Sequence, residues 1–273
     1  MILFASKIDT AELRNSALKI SIVTVSYNSA ATIRDTIESV LSQGYKNVEY
    51  IIVDGASTDG TMAIVEEYRD RITLIVSEPD LGIYDAMNKG IALATGNVVG
   101  ILNSDDFYES TDVLEAVCNS FLSAPDSQIV FGDIVFVNSD DLSRVTRFYG
   151  AAHFRSWKLR FGWMPPHPAT FIRSEAYELV GPYSLKYKIS ADYEMFVRLL
   201  LVCKLKYTRL DKTLVRMRAG GVSTSGVKSS LRLNSEIVQA CRSNGVYTNL
   251  LLVLSKIPFK LLEFVRRPRG THS

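Results

Sequence analysis

Three separated groups of carboxylates are the residues most able to do chemistry. In the first, the apolar run Val98 to Leu102 breaks into Asn103, Ser104, Asp105 and Asp106. Such a run, bounded by polar residues and following a helix-like segment, reads as a buried strand of a parallel sheet. Open α/β sheets place ligands at the carboxyl ends of such strands. Adjacent carboxylates repel and rest best in solvent or around a hard, oxygen-loving cation. A solvated turn with Asp106 capping the next helix fits the same residues. In the second group, Asp54 ends the run Tyr50 to Val53, and Asp59 follows within the loop Gly55 to Gly60. A carboxylate at a strand end can accept from the imide N–H of a uracil base; two turn acids bracing backbone bends are the alternative. The third is Asp192 in Ser190-Ala191-Asp192-Tyr193-Glu194, at an expected helix start where the dipole favours its ionised form. It either caps that helix or takes a proton from a hydroxyl.

These carboxylates need a frame to bring them together. Ile20 to Val25, Tyr50 to Val53, Thr73 to Val76 and the Val98 run read as strands. Between them, Ile33, Ile37, Val40 and Leu41, then Met62, Ile64, Val65 and Tyr68, then Ile83, Ala86, Met87, Gly90, Ile91 and Ala94 recur at helical spacing. Strands alternating with helices predict right-handed parallel βαβ units. Beyond residue 110 the spacing predicts a helix through Val113, Leu114, Val117 and Phe121, strands at Ile129 to Val137 and Val145 to Phe148, and a helix from Tyr193 to Val202. Leu205 to Leu210 and Thr213 to Met217 read as two short strands. Residues 150–168, with Trp157, Phe161, Trp163 and Pro165-Pro166-His167-Pro168, read as an irregular loop over a site.

Composition narrows the function classes. A net charge of +2 over 273 residues offers no argument for nucleic acid. Cys118, Cys203 and Cys241 lack metal or pairing spacing, as expected in a reducing compartment. His153, His167 and His272 are too scattered for a zinc site. The G-x-G-x-x-G and G-x-x-x-x-G-K-[ST] phosphate motifs are absent. The first residues lack a signal-peptide pattern, and no apolar run is long enough to span a membrane. Val246 to Val265, interrupted by polar residues and followed by Arg266, Arg267 and Arg269, reads either as a segment lying on an anionic membrane surface or as a plain packing helix.

Taken in order, Ile22-Val23-Thr24-Val25-Ser26-Tyr27-Asn28, Ile52-Val53-Asp54-Gly55-Ala56-Ser57-Thr58-Asp59-Gly60-Thr61, Asp80-Leu81-Gly82-Ile83-Tyr84-Asp85-Ala86-Met87-Asn88-Lys89-Gly90, Asn103-Ser104-Asp105-Asp106 and Ala191-Asp192-Tyr193-Glu194 resemble the family 2 inverting glycosyltransferases of the GT-A fold. The resemblance spans roughly Lys19 to Gly221 and is closest to bacterial enzymes of exopolysaccharide or lipid-linked repeat-unit assembly. It implies an α/β fold with a Rossmann-like, mostly parallel central sheet flanked by helices. It divides the chain into an N-terminal extension (1–18), the catalytic domain (19–222) and a short C-terminal helical appendage (223–273).

By the same resemblance, Thr24, Tyr27 and Asp54 line the nucleobase and ribose pocket, with Asp85 nearby and Ser104 beside the nucleotide. Asp105, with Asp106 as a second candidate, binds the Mg²⁺ or Mn²⁺ that bridges a diphosphate. Asp192 is the catalytic base. The family's Asp-x-Asp is here Asn103-Ser104-Asp105, and its usual acidic pair is Ala191-Asp192, so each site has lost one carboxylate. Trp157, Phe161 and Trp163 are candidates to stack on acceptor sugars, with His167 bonding a hydroxyl or phosphate; core packing fits such aromatics as well. Arg216, Arg218, Gly220, Gly221 and Ser223 form a basic segment expected near the pyrophosphate, or else a surface loop.

The implied activity is transfer of a hexose or N-acetylhexosamine from a nucleotide-sugar, UDP-linked, to a saccharide or lipid-linked saccharide at the cytoplasmic face of a membrane. The rivals are a binding module that has lost catalysis and, on another chemistry, a nucleotidyltransferase.

Overall fold

The computed structural model describes residues 18–219 and 226–257. Its organising unit is four parallel strands, β1 (Ile20–Ser26), β2 (Val48–Asp54), β3 (Leu74–Ser77) and β4 (Val98–Asn103), in the spatial order β3-β2-β1-β4. Strand β1 is buried along its whole length, and the residues that interrupt its aliphatics, Ser21, Thr24 and Ser26, are small and polar. The helices α1 (Ile33–Leu41), α2 (Thr61–Glu66) and α3 (Ile83–Leu93) make the crossovers. Helix α3 lies close on β1 because it meets the sheet at Gly90, where an added Cβ would come within 2.2 Å of Val23 Cγ1.

The register aligns the strand ends. Ser26 pairs with Asp54, Val25 with Asn103 and Asp54 with Ser77. The loops after all four strands therefore open at one edge of the sheet, where a ligand crevice belongs.

The other half of the sheet is not parallel throughout. Strand β8 (Thr170–Arg173) runs antiparallel to both β4 and β6 (Ile129–Val137). Beyond β6 lie β9 (Tyr207–Arg218), parallel to it, and β5 (Asp106–Tyr108), antiparallel to β9. Strand β7 (Val145–Tyr149) pairs antiparallel with the far end of β6. The sheet is thus mixed, with its parallel part confined mainly to the first hundred residues. The two short strands expected at 205–217 are one strand, kept continuous by register shifts opposite Phe131 to Ile134.

Helix α4 (Val113–Ser123) precedes β6, and α5 (Ser174–Val180) follows β8. The helix expected from Tyr193 is α6 (Ala191–Val197), running on into a π turn at Arg198–Val202. Helices α7 (Gly226–Ser243) and α8 (Leu250–Leu254) close the described chain. Ile237, Ala240, Cys241, Val246 and Val253 join the same core cluster as Val23 and Phe131.

Residues 150–168 are more structured than an open loop. They contain a 3-10 turn at Ser156–Phe161 and lead into another at His167–Ala169, with Phe154 and Leu159 buried in the core. Among the described residues the three cysteines are unpaired, and no helix is long and apolar enough to cross a membrane. Residues 1–17, Gly220, Gly221, Ser223 and the stretch after Ile257, including Arg266, Arg267 and Arg269, lie outside the described residues.

Candidate active site

At the carboxyl edge of β1, β2 and β4 lies a cleft of about 1280 Å³, lined by Tyr27, Gly55, Asp80, Tyr84, Ser104, Asp105, His167, Asp192 and Arg218 among others. Two of the three carboxylate groups singled out from sequence thus reach one space. Asp105 comes from the loop after β4, and Asp192 from the first turn of α6.

The nucleotide end departs from expectation. Asp54 does not line the cleft; it is fully buried. Its Oδ1 accepts from Ser26 Oγ at 3.1 Å and Ser57 Oγ at 2.5 Å, and its Oδ2 from Ser57 N and Ser77 Oγ, both at 2.8 Å. Four donors occupy the roughly four acceptor positions of a carboxylate, so Asp54 braces the pocket floor and has no free position for a base. Thr24 is likewise wholly buried, with its hydroxyl 3.2 Å from Tyr50 Oη. Asp85 accepts from Leu81 N at 3.0 Å and lies 3.8 Å from Lys89 Nζ, bracing the start of α3 outside the cleft lining.

Two of the expected residues do line this end. Tyr27 is 63% exposed, an open ring face. Ser104 Oγ lies 2.7 Å from Ser29 Oγ and ties together the loops after β1 and β4. Asp80, which sequence reasoning left without a role, lines the cleft with its Oδ2 over Gly55, only 2.5 Å from where a Cβ would stand. Asp59 is a turn acid, accepting from Ala30 N at 3.1 Å and Thr61 N at 2.9 Å.

Asp105 and Asp106 separate sharply. Burial pushes the Asp105 carboxyl up, and the Arg218 charge partly offsets this. Asp106 opens β5 beneath the loop and is 1% exposed, outside the cleft lining. Burial, reinforced by the Asp105 charge, drives its carboxyl well above the ordinary range. Asn103 Nδ2 donates to Asp106 Oδ2 at 3.3 Å, while Asn103 Oδ1 and Asp106 Oδ1 are buried with no donor among the described residues. Direct cation contact, entertained for Asp106, does not suit a side chain in this position.

The donor set tests the fit of a divalent cation. Among the described residues no three His, Cys, Asp or Glu side chains gather into a metal cluster. What the cleft offers is the Asp105 carboxylate with the Asn103 amide beside it. That matches the way Mg²⁺ is commonly held, by one or two carboxylates plus substrate phosphates. The residues fit a cation that arrives with a diphosphate.

Asp192 is held for proton transfer. Its Oδ1 accepts from Tyr193 N at 2.7 Å and Tyr84 Oη at 3.2 Å, and among the described residues no donor meets Oδ2. Burial raises its carboxyl, opposed by the nearby His167, the Tyr193 N–H and the Tyr84 hydroxyl. Burial lowers His167 in turn. His167 Nε2 lies 2.9 Å from Tyr183 Oη, and the Asn88 amide both donates to Tyr183 O and accepts from Tyr183 N. Tyr84 stacks on Tyr183 with ring centroids 5.9 Å apart. This aromatic frame joins α3, the Pro-rich turn and α6 around the carboxylate. The missing acidic neighbour also has a physical reason. Ala191 is completely buried, and a carboxylate there would be stripped of water.

On the acceptor side, His167 lines the cleft, but Trp163, Trp157 and Phe161 do not. Trp157 and Phe161 stack edge to face on each other. The basic segment is divided. Arg216 is held by Glu109 in a fork, with N–O distances of 2.7 and 2.8 Å. Arg218 lines the cleft, bonds Asp35, and donates to the backbone carbonyl of Asp105 at 2.6 Å. Tyr84 and Arg218 gain their places from partners more than a hundred residues away, which no local motif announces.

Known proteins resemble this chain in sequence and in fold. The family model described as glycosyl transferase family 2 matches residues 21–178. An uncharacterized glycosyltransferase of Mycobacterium tuberculosis (strain CDC 1551 / Oshkosh) is 32% identical over 191 residues, 69% of this chain and 71% of that one. A PGL/p-HBAD biosynthesis glycosyltransferase of Mycobacterium bovis (strain BCG / Pasteur 1173P2) is 32% identical over 181 residues, 65% of this chain and 68% of its own. Among solved structures, residues 1–349 of S. aureus TarS in complex with UDP-GlcNAc superpose with a TM-score of 0.63 at 16% identity, covering 88% of this chain and 72% of that one. The mannosyltransferase PcManGT from Pyrobaculum calidifontis, in complex with GDP-Man and Mn²⁺, gives 0.61 at 18%, covering 92% and 74%. These structural likenesses carry the GT-A fold. With the family model covering more than half of the chain and relatives matching at 32% identity, the protein belongs to glycosyl transferase family 2.

Proposed function

We propose that the protein transfers a hexose or N-acetylhexosamine from a nucleotide-sugar, UDP-linked, to a saccharide or lipid-linked saccharide acceptor with inversion at the anomeric carbon. It would act peripherally at the cytoplasmic face of a membrane, in cell-surface polysaccharide or glycolipid synthesis. The observation that carries this reading is a cleft lined by both Asp105 and Asp192, with no donor among the described residues on Asp192 Oδ2.

In this reading Tyr27 stacks on the base, and Ser104 and Asp80 border the ribose and base. A Mg²⁺ or Mn²⁺ held by Asp105, with Asn103 beside it, would supply Lewis-acid stabilisation of the departing diphosphate. The acceptor hydroxyl gives its proton to Asp192 Oδ2 as its oxygen bonds to the anomeric carbon. The carbon–oxygen bond to the diphosphate breaks on the opposite face through an oxocarbenium-like state. Tyr84 and the Tyr193 N–H hold the other carboxylate oxygen, so the base meets the acceptor in one orientation.

A product-release assay over UDP-, GDP- and dTDP-sugars tests the activity. Asp192→Asn should lose about 10²–10⁴-fold in turnover, or about 3–5 kcal/mol of transition-state stabilisation, while keeping donor affinity. Calorimetry with UDP, with and without Mn²⁺, reports the metal separately. Metal-dependent UDP binding with no turnover of any donor would overturn the enzyme reading in favour of a binding module.

A further inference from the structure

The end of the described chain carries a surface whose polarity is the reverse of an ordinary one. Around α8, Thr248, Val253 and Lys256 are buried, while Tyr247 is 70% exposed, Leu250 50%, Leu251 80% and Ile257 43%. Leu250 and Leu251 open α8 and Tyr247 stands in the non-helical chain three residues before it, so the large exposed side chains of this segment are apolar.

The neighbouring 3-10 turn is fastened to it. Thr248 Oγ1 donates to Arg160 O at 2.5 Å, and Lys256 Nζ to Gly162 O at 3.2 Å. That turn holds Trp157 out into solvent at 55% exposure, flanked by exposed Arg155 and Arg160. The sequence has no acidic residue between Asp141 and Glu175, nor between Glu236 and Glu263. Both chain segments that build this face are therefore positive wherever they are charged.

Exposed leucines beside a tryptophan, a tyrosine and arginines suit the boundary between lipid headgroups and acyl chains, where apolar side chains enter and cations meet phosphate. A second copy of this chain suits it poorly, because a two-fold interface sets the same patch against itself and like charges face each other. We propose that this face docks on an anionic lipid bilayer, with Leu250, Leu251, Tyr247 and Trp157 entering the interface and Arg155 and Arg160 meeting lipid phosphates. This rests on the peripheral membrane action proposed above and gives it a surface, but none of these residues lines the cleft, so a failure to bind lipid would leave the sugar-transfer chemistry standing.

Flotation of the full chain with phosphatidylcholine vesicles, with and without phosphatidylglycerol, tests it. The wild type should float with the anionic vesicles, weakly with the neutral ones, and less as salt rises. The double variant Leu250→Glu, Leu251→Glu should lose at least about tenfold in partitioning. Arg155→Glu with Arg160→Glu should abolish the preference for anionic lipid. All sites are exposed, and unchanged thermal unfolding would confirm that the variants are folded. The proposal is overturned if the wild type stays with the soluble fraction or if the leucine variant floats as the wild type does. It is equally overturned if the wild type is a dimer by light scattering and the leucine variant a monomer, because the patch would then be covered by a second copy.

Discussion

Replacing Tyr84 with Phe removes one hydroxyl and keeps the ring that stacks on Tyr183. The single proton of that hydroxyl is shared between Ile189 O at 2.7 Å and Asp192 Oδ1 at 3.2 Å. A hydrogen bond to an ionised group contributes about 1.5–3 kcal/mol, and 3.2 Å is long for an O–H donor. The low end, about 1.5 kcal/mol, corresponds to about one pH unit for the carboxyl it stabilises. The bond favours the ionised form of Asp192, so losing it raises the carboxyl further, on top of the rise that burial already causes. A general base works only when deprotonated. The acid limb of kcat/KM against pH should therefore move up by about one unit in Tyr84→Phe, with a smaller loss on the plateau. His167 and Tyr183, the other titratable groups interacting with this carboxyl, keep their own side chains in the variant. Loss of the donor to Ile189 O should lower stability by about 1–3 kcal/mol, readable by denaturant unfolding. If stability falls while the acid limb stays in place, the hydroxyl serves only the backbone, and the positioning argument for Tyr84 is wrong.

Three further substitutions probe the frame. Asp106→Asn should raise the melting temperature at neutral pH, and the gain should shrink as pH falls into the carboxylate range. The folded state binds that proton more tightly than the unfolded chain, so wild-type stability is lost as pH rises from the unfolded pKa through the folded one. Arg218→Ala should weaken Mn²⁺-dependent UDP binding by about tenfold by calorimetry, since a lost charge-assisted bond is commonly worth about 1.5–3 kcal/mol. Arg218 holds the Asp105 backbone, so Arg218→Lys should recover part of the loss. Gly90→Ala should destabilise by about 1–3 kcal/mol in urea unfolding, because the new methyl collides with Val23 Cγ1, although alanine favours the helix.

What could be read from sequence follows the range of the interactions. Strands β1 to β4 and their crossover helices were legible because period and punctuation are local, and so were the loop carrying Asp105 and the helix start carrying Asp192. Strand β8 was not, since its antiparallel place between β4 and β6 depends on pairings across dozens of residues. Asp54 and Thr24 were expected to face the ligand. A motif gives position along a strand but not whether the side chain ends up inside, and here three serines claim the Asp54 carboxylate. Residues 150–168 read as a loop over a site because their aromatics are dense; Phe154 and Leu159 are core, and only the end of the stretch reaches the cleft. Tyr84 stood within a quoted motif, but its partner lies 108 residues further on.

The bonds from Ser26, Ser57 and Ser77 to Asp54 have one more implication. They tie the ends of three neighbouring chain segments to a single side chain before any donor arrives. A ligand settling there meets a platform that is already rigid, so little conformational entropy remains to be surrendered at that end of the crevice. Selectivity for the donor is then a matter of shape set during folding, and changes to Ser57 or Ser77 should loosen recognition although neither lines the cleft.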